Sequence, residues 1–264
     1  MITYKIKYKG YISSLYIPEK RSGKTILLLP GLPTSSNINK IVQCFLDSGC
    51  SVFYPQLAGS FDSEGGFDGF NHISEVKNLI KMIKKGSFKE LYFCKDIKIS
   101  KSKEIILAGM SYSGLIALLG ETKEVSKILL LSPVLLFNQT DISKIVNFNF
   151  KTQMQSLLGL LSRAFSFSYR LTSLQVMRKF LYGQDKILRF DSVLNKIKNI
   201  KKPVLIVHGR DDSSVPYKID ECLIERANNE FVDLYIGDFG HSNSSYSREA
   251  LEKIKDFIDS KIIF

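Results

Sequence analysis

The feature that most constrains the fold is the segment Gly109-Met110-Ser111-Tyr112-Ser113-Gly114, which directly follows the apolar run Ile105-Ile106-Leu107-Ala108. A buried strand that turns straight into a helix through Gly-x-Ser-x-small is typical of a nucleophile elbow. The apolar residues after the turn have helical spacing, at Leu115, Ile116, Leu118 and Leu119. The sequence therefore predicts that Ser111 lies on a tight, strained turn with its hydroxyl exposed.

The motif alone leaves an alternative open. The position at which many such turns have a second glycine is Ser113 here, and Ser111 or Ser113 could be an ordinary helix N-cap. If the catalytic interpretation is correct, an acid and a histidine must follow in that order.

The acid candidate is Asp212, which follows the apolar strand Val204-Leu205-Ile206-Val207. Such a strand is predicted to be buried on both faces, and an Asp at its carboxyl end can orient an imidazole. Asp211 is the rival acid, and either residue could be an ordinary turn residue.

The base candidate is His241, which follows the short strand 231–236 and lies 29 residues after Asp212. The sequence has only three histidines. His208, at a strand end before a glycine, is predicted to be a packed structural residue. His72, at the start of a helix, is predicted to be a capping or surface residue. The order Ser111, Asp212, His241 therefore predicts a catalytic triad.

From about Lys24 onward, the chain resembles the α/β-hydrolase superfamily. The apolar strand 26–29 ends in Pro30-Gly31-Leu32-Pro33, similar to the loop that supplies an oxyanion amide, with Pro30 where a His is frequent. The segment 54–65 looks like the loop that follows the next strand in prolyl-oligopeptidase-like and serine-aminopeptidase-like members. By this resemblance, the backbone amides of Leu32 and Tyr112 form the oxyanion hole. The family's Asp-x-x-Val-Pro turn likewise favours Asp212 over Asp211.

The resemblance implies the α/β class and the α/β-hydrolase fold: a mostly parallel central sheet with helices on both faces and a helical lid insertion. We expect a single domain over residues 1–264, since this length is ample for one buried core. Periodicity predicts strands near 2–9, 11–17, 25–29, 50–54, 104–108, 127–132, 203–207 and 231–236. It predicts helices near 36–48, 73–85, 112–120, 217–228 and 244–260.

The lid insertion is expected at about 135–200. Two apolar stripes in it have helical spacing: Met154, Leu157, Leu158, Leu161 and Phe165, then Leu171, Leu174, Met177 and Leu181. Two amphipathic helices that cover the active site would account for both stripes. Helices that merely pack the insertion on the core would account for them equally well.

The net charge of +11 is unevenly distributed. Residues 133–202 hold twelve Lys or Arg against three Asp, and residues 81–103 hold eight Lys against two acids. A cationic lid would suit anionic acyl substrates or an anionic membrane surface, and a solvated basic surface is the alternative. The spacing of these cations matches no nucleic-acid-binding module, so no nucleic-acid partner is expected.

Composition adds expectations about environment. Hydrophobic residues make up 44% of the chain, yet no stretch of about 18 apolar residues predicts a membrane span. The N-terminus has no signal-peptide core, so we expect a cytoplasmic protein whose four cysteines are free thiols. The cysteines lack metal-site spacing, and the expected chemistry needs no metal or organic cofactor.

Together these features predict a serine hydrolase that cleaves a carboxylic ester, thioester or related acyl bond of a small molecule through an acyl-enzyme. A serine peptidase or aminopeptidase-like enzyme is one alternative. A non-catalytic binding protein with the same fold is another, favoured by the departures at Pro30 and Ser113.

Overall fold

The central element of the computed structural model, which describes residues 1–33, 39–163, 166–241 and 246–260, is one twisted sheet. Its strands are β1 (Ile2–Tyr8), β2 (Tyr11–Ile17), β3 (Lys24–Leu29), β4 (Ser51–Pro55), β5 (Ser87–Glu90), β6 (Asp96–Lys98), β7 (Glu104–Met110), β8 (Lys127–Leu131), β9 (Val204–Gly209) and β10 (Val232–Gly237).

Across the sheet the strand order is β10-β9-β8-β7-β3-β4-β2-β1-β5-β6. The six strands from β10 to β4 are parallel, and the remaining four are antiparallel. The carboxyl ends of all six parallel strands therefore meet at one edge, where side chains from distant parts of the chain can converge.

Helices cover both faces of this sheet. They are α1 (Asn39–Asp47), α2 (Gly69–Lys85), α3 (Ser113–Gly120), α4 (Gln139–Ser143), α5 (Phe150–Ser162), α6 (Leu174–Leu181), α7 (Phe190–Asn199), α8 (Lys218–Ala227) and α9 (Arg248–Asp259). Alternate residues of β3 point to opposite faces: Leu27 and Leu29 pack with α2, α3, α7 and α8, whereas Ile26 and Leu28 pack with α1 and α9. The predicted fold class is confirmed.

All eight predicted strands are present, with ends shifted by at most two residues. Strands β5 and β6 were not predicted, because their Lys-rich segment has no clear apolar alternation. Helix α2 begins at Gly69, earlier than expected, because Asp68 caps it by accepting a hydrogen bond from the amide of Asn71 at 2.8 Å. The predicted starts of the first and last helices lie outside the described residues.

The segment between β8 and β9 contains α4 to α7. The stripe residues Met154, Leu158 and Leu161 of α5 and Met177 and Leu181 of α6 are buried in the same core as the sheet. Two expectations were wrong: Leu171 precedes α6, which begins after the cap Ser173, and Leu174 is 48% exposed. Phe165 lies outside the described residues. The insertion packs on the core, and coverage of the active site by these helices stays a prediction.

One part of the insertion, residues 166–172, is fastened to the loop after β4. Backbone hydrogen bonds join Phe61 N to the Ser168 carbonyl and Arg170 N to the Gly59 carbonyl, both at 2.7 Å. The Arg170 guanidinium also donates to the carbonyls of Phe61 and Ser63. Arg170 is therefore a structural cation rather than a free charge that faces an incoming anion.

Two observations concern the environment. Over the described ranges of the chain, no helix is both long and apolar enough to cross a bilayer. All four cysteines are free thiols, and burial raises the pKa of both Cys44 and Cys50 to about 11.

Candidate active site

The turn between β7 and α3 holds Ser111 in a left-handed backbone conformation, with φ of +47°. This conformation costs energy in a residue with a Cβ, so the surroundings must impose it. The Ser111 amide donates to the Leu131 carbonyl at 3.0 Å, and its own carbonyl accepts from the amides of Gly114 at 2.9 Å and Val134 at 2.8 Å. Three backbone hydrogen bonds therefore fix the strained turn.

Two glycines make the turn possible. A Cβ at Gly109 would lie 2.4 Å from the Ser113 carbonyl oxygen, and a Cβ at Gly114 would lie 2.3 Å from the Cβ of Pro133. Neither position has room for a side chain. Gly114 therefore lets the start of α3 approach Pro133 closely.

Ser113 and Pro30, the two departures from the expected pattern, contact each other. The Ser113 side chain is buried, and its hydroxyl donates a hydrogen bond to the Pro30 carbonyl. This bond ties the elbow to the loop after β3. A Cβ at Gly31 would lie 3.4 Å from the Ser111 Cβ, so this loop passes directly beside the serine.

The structure brings Ser111, His241 and Asp212 together at the carboxyl edge of the sheet. His241 Nε2 lies 2.9 Å from Ser111 Oγ, and His241 Nδ1 lies 2.6 Å from Asp212 Oδ2. The three residues follow β7, β10 and β9, respectively. The Asp212 side chain is fully buried, whereas that of His241 is 29% exposed. The imidazole therefore spans from a buried carboxylate to the hydroxyl of a partly exposed serine.

Close contact between two loops positions the histidine. A Cβ at Gly209 would lie 2.0 Å from the Phe239 carbonyl oxygen, so only glycine lets the loop before His241 cross the end of β9. The amides of Arg210 and Asp211 donate to the carbonyls of Gly237 and Phe239 at 2.7 and 3.1 Å. Asp211 uses its backbone in this contact and is exposed, so it is Asp212 that reaches His241.

The Asp212 carboxylate accepts four hydrogen bonds. Oδ1 accepts from the amides of Ser214 at 2.9 Å and Val215 at 2.8 Å, and Oδ2 accepts from His241 and, at 3.1 Å, from His208 Nε2. Burial by itself would raise the pKa of Asp212, but the hydrogen bonds from His208 and His241 hold it well below its usual range. Asp212 is therefore an ionised acceptor.

The two predicted oxyanion amides flank this serine. Tyr112 directly follows Ser111, and Leu32 lies in the loop that passes beside it. Within the described ranges, neither the Leu32 nor the Tyr112 amide has a hydrogen-bond acceptor in the protein. Unpaired backbone amides beside a nucleophile are what an oxyanion hole requires.

His208 was correctly expected to be packed, but its contact with Asp212 was not predicted. Its Nδ1 lies 2.6 Å from Asp220 Oδ2, and its Nε2 also lies 2.9 Å from the Val215 carbonyl oxygen. Burial would lower the pKa of His208, but the carboxylates of Asp220 and Asp212 raise it to about 10. The only feature of the sequence that could have indicated the contact with Asp212 is that His208 precedes it by four residues. No local feature indicates the contact with Asp220.

His72 was expected to be a capping or surface residue, and this was wrong: Asp68 caps the helix, and His72 is fully buried. Its Nδ1 lies 3.0 Å from the Tyr112 hydroxyl and its Nε2 lies 3.1 Å from the Ala58 carbonyl oxygen. Because that carbonyl can only accept, Nε2 carries the proton and the Tyr112 hydroxyl donates to Nδ1. Burial lowers the pKa of His72 to about 4, so it is neutral at physiological pH.

Aromatic rings from the insertion pack directly behind the elbow. The Tyr112 ring lies 5.7 Å from that of Phe180 in α6 and 6.3 Å from that of Phe137 after β8. Phe67, from the loop before α2, stacks on Tyr112 at 6.1 Å. The α5 residue Gln153 also lies near the acid loop, with its Nε2 3.5 Å from the Ser213 carbonyl oxygen. The insertion therefore contacts both the elbow and the acid loop.

A surface cavity of about 550 Å³ lies away from this site. It is lined by residues at the amino ends of β3 and β4, including Pro18, Arg21 and Gly49. In the portion of the chain described, no three His, Cys, Asp or Glu side chains are grouped as metal ligands.

The architecture and the site define a class of protein. The parallel sheet, the strained serine turn after β7 and the acid and histidine after β9 and β10 are the arrangement of the α/β-hydrolase fold. The chain has this fold, and the resemblance seen in its sequence is confirmed at that level.

Comparisons with known proteins agree on the fold. No protein-family model matches the chain. Alpha/beta hydrolase domain-containing protein 17B of Homo sapiens is 29% identical over 89 residues, which is 33% of this chain and 31% of that protein. The match thus spans about a third of that curated relative.

Two solved structures superimpose over nearly the whole chain. Esterase Pf2001 of Pyrococcus furiosus has a TM-score of 0.65 and 20% identity, and the match covers 97% of this chain and 91% of that one. A soluble variant of the monoglyceride lipase of Saccharomyces cerevisiae, in complex with a substrate analog, has a TM-score of 0.66 and 17% identity, with 98% and 96% covered.

Proposed function

We propose that this protein is a serine hydrolase that cleaves a carboxylic ester, thioester or related acyl bond. The observation that carries the proposal is the continuous hydrogen-bonded chain from Ser111 Oγ through His241 to Asp212, with distances of 2.9 and 2.6 Å. A serine held on a strained turn, next to an imidazole that a buried carboxylate orients, is what nucleophilic acyl transfer needs.

In the proposed reaction, Ser111 Oγ attacks the carbonyl carbon of the substrate while His241 Nε2 takes the hydroxyl proton. The amides of Leu32 and Tyr112 stabilise the oxyanion of the tetrahedral intermediate. His241 then gives the proton to the leaving group, and an acyl-enzyme remains on Ser111. Water, activated by the same imidazole, releases the acid. Asp212 stays ionised and stabilises the imidazolium that forms in both steps.

Two features bear on the choice among reactions. An aspartate at position 111 would be needed for alkyl-halide or epoxide chemistry on this fold, and the residue is a serine. The solved structures named above are an esterase and a monoglyceride lipase, which favours an ester over a peptide bond as the substrate class. A peptidase is therefore the second candidate, and it differs only in the leaving group.

The test combines covalent labelling with a substrate panel. A fluorophosphonate probe should label the wild-type protein with loss of fluoride, and Ser111→Ala should abolish both labelling and hydrolysis, with kcat lower by roughly 10³-fold or more. Ser74→Ala, which changes an exposed serine of α2, is the matched control and should behave as wild type.

The panel consists of p-nitrophenyl esters, acyl thioesters and aminoacyl amides, assayed with the same preparations. Turnover of esters and thioesters well above amides supports the proposed reaction, and the opposite ranking supports the peptidase. A folded wild-type protein that neither labels nor hydrolyses any panel member would be a non-catalytic member of the fold.

A further inference from the structure

A second histidine lies on the far side of the triad acid. His208 is fully buried at the end of β9, and both of its ring nitrogens have partners. Its Nε2 lies 3.1 Å from Asp212 Oδ2 and 2.9 Å from the Val215 carbonyl oxygen. Its Nδ1 lies 2.6 Å from Oδ2 of Asp220, a fully buried residue of α8.

These contacts fix the direction of the hydrogen bond to Asp212. A backbone carbonyl and an ionised carboxylate can only accept, so His208 Nε2 must carry a hydrogen. Between Nδ1 and Asp220 a second proton is shared, whichever of the two groups holds it. In either case, the one hydrogen on Nε2 is shared between Asp212 Oδ2 and the Val215 carbonyl oxygen. Asp220 therefore stabilises the protonation state of His208 in which Nε2 carries a hydrogen and can donate to the Asp212 carboxylate.

We propose that His208 is a positioning residue of the triad, which acts by donating a hydrogen bond from Nε2 to Asp212 Oδ2 so that this oxygen faces His241. The inference rests on the proposed function and extends the chain of contacts to five residues: Ser111, His241, Asp212, His208 and Asp220.

The need for such a residue follows from how Asp212 is held. The backbone amides of Ser214 and Val215 fix only Oδ1. Oδ2 has two donors among the described residues, and one of them, His241, gains and loses a proton in each catalytic cycle. His241 keeps its Nδ1 hydrogen in both charge states, but the strength of its hydrogen bond to Oδ2 changes with that charge. His208 takes no part in the proton transfer. It keeps the carboxylate plane aligned while His241 changes charge.

Two substitutions at the same position separate this role from simple packing. A glutamine amide can occupy the position of Nε2, so His208→Gln can still donate to Asp212 but loses the contact with Asp220. An asparagine amide can occupy the position of Nδ1, so His208→Asn keeps the contact with Asp220 but leaves Asp212 without this donor. Both variants remove a buried ring, so both carry a similar packing defect.

We expect His208→Asn to lower kcat by about 10- to 100-fold, the range for loss of one hydrogen bond to a charged group, with KM changed little. His208→Gln should retain at least about tenfold more kcat than His208→Asn. Fluorophosphonate titration gives the concentration of competent sites, so a misfolded fraction does not enter kcat. Equal losses in the two titrated variants, or a larger loss in His208→Gln, would overturn the proposal.

A measurement on the wild-type protein covers the case in which a variant does not fold. The proposal requires a protonated His208 Nε2, which the ¹⁵N resonance of a histidine-labelled sample reports directly. An unprotonated Nε2 at neutral pH would overturn it, because that nitrogen could not donate to Asp212. A wild-type protein that shows the protonated nitrogen but neither labels nor hydrolyses esters would contradict the proposed function rather than this contact.

Discussion

Replacing Asp212 by asparagine tests the triad most sharply, because the structure determines what the new amide must do. The carboxylate accepts two hydrogen bonds on each oxygen, from the amides of Ser214 and Val215 on Oδ1 and from His241 and His208 on Oδ2. An asparagine has a single oxygen. If that oxygen stays on the backbone amides, the NH₂ group faces His241 Nδ1, which must then accept.

The consequence is the wrong tautomer of His241. With Nδ1 as acceptor, Nε2 carries the proton and cannot take one from Ser111. The reversed amide would instead point its NH₂ group at the two backbone amides, which are also donors. Asp212→Asn should therefore lower kcat by about 10³- to 10⁴-fold, which corresponds to roughly 4–5.5 kcal/mol of transition-state stabilisation.

The assay is kcat on a p-nitrophenyl ester, with the folded fraction of each variant checked by circular dichroism and urea unfolding. Asp211→Asn is the matched control: its side chain is exposed and its contact with Phe239 uses the backbone amide, so kcat should change by less than about threefold. An Asp212→Asn variant that keeps more than about a tenth of the wild-type kcat would refute the reasoning. So would an Asp211→Asn variant with the greater loss.

Two further predictions concern stability. Burial raises the pKa of Glu75 from 4.5 to about 8, so the folded state binds a proton that the unfolded state has lost; stability should fall as pH rises from about 4.5 to 8, by up to about 1.4 kcal/mol per pH unit. Urea unfolding at several pH values should show a smaller fall for Glu75→Gln, and parallel pH profiles would contradict the assignment. Gly114→Ala, whose Cβ would lie 2.3 Å from the Pro133 Cβ, should lose about 1–3 kcal/mol in the same assay. Gly159→Ala in α5, where no atom lies within 4 Å of the new Cβ, should instead gain about 0.5–1 kcal/mol, and equal effects at the two glycines would contradict the steric argument.

The order of elements and the geometry of the serine turn could be predicted because their signals are local. An apolar run such as 105–108 reports a buried strand wherever its partners lie. The tight turn after it requires small residues at fixed positions, so Gly109 and Ser111 can be recognised from their spacing in the sequence. Asp212 and His241 could be predicted because, in this fold, an acid and a histidine follow the serine in a fixed order along the chain.

The partners of these residues could not be predicted in the same way, because their signals are not local. His72 is an ordinary first-turn residue by sequence, and it is buried because α2 packs behind the elbow, where Tyr112 and Ala58 satisfy both ring nitrogens. By composition, Arg170 is one of many cations. In the structure it donates a hydrogen bond to the Phe61 carbonyl, because the insertion runs along the loop after β4.

The sequence by itself determined the fold class and the candidates Ser111, Asp212 and His241, since strand periodicity and turn geometry depend on neighbouring residues. Only the tertiary structure decided that Ser113 bonds to Pro30 and that His208 and Asp220 lie behind the acid. Those contacts join residues up to 83 positions apart. They exist because parallel strands bring the ends of separate segments to one edge, and no local pattern in the chain encodes that distance.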